Sequence, residues 1–269
     1  MRTLPVGAAF SHSVNSTINN LKFAFHVSWP WMIALLPVSV ISNVYFQLNP
    51  IDPRTMPPPS TGLLLFALSV FEIIGFASIA VAWHRYILKD EMPQGIAQRL
   101  RMDSVVWRYV GNTILVWLRL FGMILLGYLP FILGIVLMAV SKVLGGIVLA
   151  VTGVAFLVYL VWIIGAAGRW SVKLVGVALG REDFRMKDAW TATDGSHWQI
   201  VGLYVLFALC LIGVGFAFLG VTYAAATSGN LLFLIIIMAI QTVINWVFTI
   251  WGVTLLTSLY GFFVEKREF

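Results

Sequence analysis

The sequence predicts an all-α, polytopic transmembrane helix bundle: six spans arranged as three hairpins, with short interfacial helices on one membrane face. Three observations carry this. Hydrophobic residues make up 60% of the chain and charged residues 10%, whereas about a quarter of a soluble domain is charged; the mean hydropathy of +0.94 agrees. Six apolar stretches each reach the ~20 residues that cross a ~30 Å hydrocarbon core at ~1.5 Å per residue. Lys and Arg are confined almost entirely to alternate connections between those stretches. Residues 1–269 read as one integral membrane domain, because no polar insertion is long enough to form a second.

The first span is expected at 21–46. The tail before it has one basic residue, Arg2, and no continuous apolar core directly after it, so a cleaved signal peptide is not expected. The connection 47–61 holds Pro50, Pro53, Pro57, Pro58 and Pro59. Proline fixes φ and removes a donor, which predicts a stiff, extended, non-helical cap. The second span follows at 62–84, then a polar stretch, then the third and fourth at 114–140 and 143–167. Only Ser141 and Lys142 separate those two, so they form a tight hairpin. The fifth and sixth, at 198–226 and 236–262, are joined through the turn Thr227-Ser228-Gly229-Asn230. The stretches 8–20, 94–112 and 182–196 are expected to be interfacial helices.

Charge fixes the expected orientation. Fourteen basic residues fall on the side of the termini and the second and fourth connections, among them Arg2, Arg85, Arg108, Arg169, Lys173, Arg181 and Lys266. The opposite side has only Arg54 and Lys142. By the positive-inside rule both termini are cytoplasmic. The same placement ties the net charge of +6 to anionic lipid headgroups rather than to nucleic acid. Trp29, Trp31, Trp83, Trp107, Trp117, Trp170, Trp190 and Trp198 all fall near that interface, the layer amphipathic rings favour.

A weak threefold repeat is visible, with odd spans beginning near 21, 114 and 198. Trp107 stands before Gly111 much as Trp190 stands before Gly195. Any six-span chain with short outer turns has a similar outline. Gly122, Gly127, Gly134, Gly213, Gly215 and Gly220 are expected to permit close helix packing, while Gly176 and Gly180 sit beyond the fourth span.

Four residues inside the spans are expensive. Glu72 lies about ten residues into the second span, near the expected midplane. Intramembrane acids usually face a bundle interior or water, so Glu72 reads either as a proton or cation relay or as a hydrogen-bonded packing residue. Gln241 and Asn245, one turn apart on the sixth span, are its natural partners. They read as polar glue between helices or as part of a substrate site. Arg119 either snorkels to the interface or is drawn inward as a counter-charge for Glu72.

Chemistry-bearing motifs are absent. There is no phosphate-binding glycine loop, nucleophile elbow or His-Glu-x-x-His. His12, His26, His84 and His197 show no helical metal spacing, and His84 and His197 are expected at interfaces. The single cysteine, Cys210, excludes a disulfide framework. An enzyme is not expected, and neither is a cofactor or a metal.

Two stretches carry a family resemblance. One runs from Ala80 to Glu91 and includes Trp83, His84 and Arg85. The other joins Gly168, Arg169, Trp170 and Ser171 to Ala189, Trp190, Thr193, Asp194 and Gly195. With these the chain resembles a loosely defined group of six-span bacterial inner-membrane proteins of unknown function. That group is similar to the membrane domain attached to some glycerophosphodiester phosphodiesterases, in which an Arg closes the fourth span and an Ala-Trp-x-x-Thr-x-Gly stretch opens the fifth. Arg169, Ala189, Trp190, Thr193 and Gly195 match that pattern. The resemblance implies a bacterial inner membrane and no catalysis, since no phosphodiesterase domain is present. The expected role is a non-enzymatic accessory or scaffolding protein, partnered by membrane lipids and a larger membrane complex. The alternative is a small transporter or channel built around Glu72, Gln241 and Asn245.

Overall fold

A computed structural model describes the backbone of residues 2–48 and 59–269, and the side chains of residues 2–35 and 60–269. The described residues form helices without strands: α1 (Val6–Asn19), α2 (Leu21–Leu48), α3 (Pro59–Lys89), α4 (Ile96–Arg99), α5 (Ser104–Val140), α6 (Lys142–Ala178), α7 (Met186–Ala192), α8 (His197–Thr227) and α9 (Leu231–Phe263). Among them, α3, α5, α6, α8 and α9 are long and apolar enough to cross a membrane. The fold is therefore a helical membrane bundle. The expected proline cap lies mostly outside the described residues; at its end Pro59 begins α3, the one helical position where proline loses no bond.

Both termini and most of the basic residues gather at one end. Three helices, α3, α6 and α9, deliver their C-termini there, and cations close them. Arg85 Nη1 donates to the Ala178 carbonyl at 3.2 Å and Lys89 Nζ to that of Leu179 at 2.9 Å. Arg267 Nη2 donates to Leu88 O at 3.0 Å, and Lys266 Nζ to Phe263 O at 2.7 Å. Arg2 Nη1 reaches Lys266 O at 2.9 Å, tying the two chain ends together. A helix C-terminus carries partial negative charge and orphan carbonyls, which cations satisfy. The basic clusters read from sequence as a topology signal thus also cap helices.

The buried core lies at this basic end. Val27, Val81, Val106, Val175, Ile200 and Leu259 are fully enclosed there, each from a different long helix or its start. Toward the far end the same helices expose Leu63, Phe66, Leu133, Val151, Phe216 and Leu232. Apolar contact between helices gains little over contact with lipid tails, so the far halves have weak reason to close on one another.

The α5–α6 hairpin is the exception. Ser141 ends α5 and starts α6, its Oγ accepting from Leu144 N–H at 3.4 Å. Gly127 lies against Phe156 and Tyr159, and Gly134 against Leu149, so close that a Cβ would stand 2.8 Å and 2.6 Å from them. The expected role of Gly122, Gly213, Gly215 and Gly220 is corrected: nothing lies within 4 Å of a Cβ built there. Gly165 and Gly168 instead make the close crossing of α6 on α8.

Helices overrun the expected spans at the basic end. α5 starts ten residues before 114, in part because Asp103 Oδ1 accepts from the N–H groups of Val105 and Val106, each at 3.1 Å. Burial pushes the Asp103 carboxyl up, but its bonds to Arg101 and these two N–H groups outweigh that and hold it below its ordinary value of 3.8. Asp103→Ala is expected to destabilise by about 1 kcal/mol, measured by thermal unfolding in mild detergent. Because the folded value is the lower one, the carboxylate's contribution is complete above the unfolded value and is lost as pH falls through the folded one. Asp103→Asn should keep the cap and lose that acid sensitivity.

The interfacial stretches are formed in part. Residues 8–20 are α1, whose Ser13 Oγ accepts from Trp251 Nε1 at 2.9 Å. Residues 94–112 divide into α4 and the first turns of α5, and 182–196 contains α7. The likeness between Trp107–Gly111 and Trp190–Gly195 does not extend to structure. Gly111 is inside α5, whereas Gly195 follows α7 at a φ of +77° that favours glycine. The tryptophans expected near the interface fall in two settings: Trp31 and Trp83 are enclosed in the core, while Trp107, Trp117 and Trp198 are exposed.

Candidate functional site

The four expensive residues fall in different settings. Glu72 is exposed on α3, on a face shared with Ser69, Ile73 and Phe76. The neighbouring face meets α2: the Phe71 and Trp31 rings lie 5.4 Å apart, and Gly75 sits under Trp31. Gln241 is half-buried and Asn245 exposed on α9. Among the described residues no hydrogen bond joins Glu72 to either. The α9 contact toward α2 is made one residue further on, where Trp246 Nε1 donates to Ser28 Oγ at 2.8 Å.

Arg119 turns toward the basic end. Its guanidinium lies 5.7 Å from the centre of the Trp170 ring. Side chains lean toward their own helix N-terminus. Since α5 and α6 are antiparallel, Arg119 leans toward the basic end while Trp170 leans back to meet it. This is the snorkelling geometry, with the head over an aromatic face.

The most elaborate polar cluster is built on Arg169. This residue is buried in α6, and α7 wraps over it. Arg169 Nε donates to Thr193 Oγ1 at 2.9 Å, and an Nη2 hydrogen to the Trp190 carbonyl at 2.6 Å. Thr193 Oγ1 can accept because its own proton goes to Ala189 O at 2.9 Å. The guanidinium also lies 3.6 Å from the centre of the Trp190 ring, and exposed Asp194 stands 3.5 Å away on the rim. Aromatic rings continue outward, with Trp170 5.6 Å from Trp190 and Trp162 5.2 Å from His197. Four residues of the Arg…Ala-Trp-x-x-Thr-x-Gly pattern, Arg169, Ala189, Trp190 and Thr193, therefore meet in one clasp, and Gly195 follows α7. Sequence reasoning singled them out only through the resemblance. No spacing rule links position 169 to 193.

A second cluster surrounds His84. It is fully enclosed near the basic end of α3. Its Nδ1 lies 2.8 Å from Thr257 Oγ1 and its Nε2 3.4 Å from the Tyr109 hydroxyl. Thr257 spends its proton on Val253 O at 2.9 Å, so it accepts from His84 Nδ1–H. Nε2 then accepts from Tyr109. The network fixes one neutral tautomer and joins α3, α5 and α9.

Both clusters tie helices together, and the hydrogen bonds of Arg169, Thr193, His84 and Thr257 named above are all made within the chain, while the buried His197 Nε2 has no partner among the described residues. Among the described residues no group of three His, Cys, Asp or Glu side chains could hold a metal ion. A polar cleft at the basic end, about 400 Å³ between α3 and the start of α5, is lined by ion-paired side chains including Arg85 with Glu91 and Arg101 with Asp103. Compared with known protein families, curated proteins and solved structures, the chain matches none.

Proposed function

We propose that this chain is a non-enzymatic scaffold of the bacterial inner membrane that holds another membrane protein against the α2–α3 hairpin. The observation that carries the reading is Glu72, a carboxyl side chain exposed in the apolar stretch of a membrane helix. An acid at such depth costs on the order of 3 kcal/mol if left to lipid. A partner helix that offers a donor or a cation removes that cost, and the exposed apolar residues around Glu72 provide the contact area. The bias of Lys and Arg toward the basic end supports a cytoplasmic location for it. The meeting of the two chain ends supports α2 as a sixth crossing, since five crossings would put them on opposite sides.

Affinity purification from native membranes in gentle detergent, with mass spectrometry of the recovered proteins, tests this. One membrane protein is expected at a fixed ratio to the wild-type chain. Glu72→Leu should abolish its recovery while leaving the thermal unfolding of the chain unchanged, and Glu72→Gln should retain part of it. Recovery of the chain alone, or a partner indifferent to Glu72→Leu, overturns the proposal.

A further inference from the structure

The outer side of the α5–α6 hairpin carries two adjoining depressions with opposite character. Nearer the chain ends, a cleft of about 250 Å³ is lined by Arg108, Asn112, Lys173 and Arg181, with Glu182 and Phe184 beside them. Further along, a shallow groove of about 570 Å³ runs from Arg119 and Trp170 past Met123 and Leu126 to Leu129. Two of the four cations are neutralised within the chain: Arg108 pairs with Glu182, and Arg181 with Asp183 and the Tyr260 hydroxyl. Arg119 and Lys173 meet no carboxylate among the described residues; Arg119 lies against the Trp170 ring, and Lys173 stands one turn beyond Trp170 on α6. Two unneutralised cations held together at the edge of an apolar groove are stabilised by an anion.

The order along α5 identifies which anion. Leu129 lies ten residues, about 15 Å of helix, beyond Arg119. That is half of a ~30 Å hydrocarbon core, the depth of one leaflet. Leu125, Leu126 and Leu129 are all at least half exposed along it. Trp170 stands at the junction, where an indole marks the headgroup level. A guanidinium offers a planar fork to phosphate oxygens and a lysine adds a point charge. We propose that the α5–α6 groove is a binding site for one anionic diacyl phospholipid, with its phosphate between Arg119 and Lys173 and an acyl chain along residues 123–129. The site is on a different hairpin from Glu72 and is independent of it.

The full chain, purified in mild detergent, is exchanged into mixed micelles containing either phosphatidylglycerol or phosphatidylcholine with identical chains. Bound lipid is counted by native mass spectrometry. Phosphatidylglycerol should be retained about thirtyfold better, since each of the two cations contributes about 1 kcal/mol of surface attraction and about 1.4 kcal/mol is tenfold. The double variant Arg119→Gln/Lys173→Gln should lose that preference, Arg2→Gln should keep it, and the charge-conserving pair Arg119→Lys/Lys173→Arg should restore most of it if the glutamine pair folds poorly. Equal retention of the two lipids by the wild type overturns the proposal, as does an unchanged preference in the double variant. Displacement of the lipid by millimolar inorganic phosphate would also overturn it, because the groove would then contribute nothing beyond a free anion site.

Discussion

Replacing Arg169 with alanine should destabilise the folded chain by roughly 3 kcal/mol, since it deletes two charge-assisted hydrogen bonds and a close aromatic contact in a buried setting. The loss is not the full sum of those contacts, because removing a guanidinium also removes its burial cost. What remains is a cavity between α6 and α7 and a Trp190 carbonyl without its strongest donor. Arg169→Lys should recover less than half of the loss. A lysine has no planar fork with which to reach Thr193 and the Trp190 carbonyl while lying over the ring. Asp194→Asn should be nearly neutral, since its carboxylate is half exposed and 3.5 Å away. Equilibrium unfolding in mixed micelles, followed by tryptophan fluorescence, reads all three. An Arg169→Ala chain as stable as the wild type would show that α7 does not depend on the clasp.

Introducing leucine at Gly168 should be comparably damaging. Even a Cβ there would stand 2.6 Å from Ile200 Cγ2 and from the Tyr204 ring. Ile200 is fully enclosed and has nowhere to move. Overfilling a close-packed contact typically costs ~1–3 kcal/mol, and a branched side chain at a helix crossing belongs at the upper end. Gly153→Leu is the control: nothing lies within 4 Å of a Cβ at that position, so little change is expected. Thermal stability of the two variants, side by side in the same detergent, checks the pair. Equal behaviour would mean that the α6–α8 crossing tolerates separation.

That α3, α5, α6, α8 and α9 would be long and apolar enough to cross a membrane was legible because it depends on composition over twenty residues. The expected boundaries of α8 and its turn to α9 fell within a few residues of those observed. Boundaries at the basic end were too short because charged residues do not stop a helix. Arg108 and Lys173 sit in continuous turns of α5 and α6, with caps at Asp103 and beyond Ala178. The facing of individual residues was not legible. A helix apolar on every side carries no stripe to show which side is inside, and so Glu72, expected to face the interior or water, could be found exposed.

Composition and charge are enough to specify a helical membrane protein whose cations gather at one end. Those properties follow from transfer free energy and charge, which sum along the chain without reference to neighbours. Only the tertiary structure decided that the core would form at the basic end, that Arg85, Lys89 and Arg267 would cap the helices of other segments, and that Arg169 would close on Thr193. These depend on which helix ends converge, and contacts between residues far apart in the chain leave no local trace in it. Apolar faces are equally content against lipid or protein, so specific pairing falls to the few polar groups whose partners must be found in three dimensions.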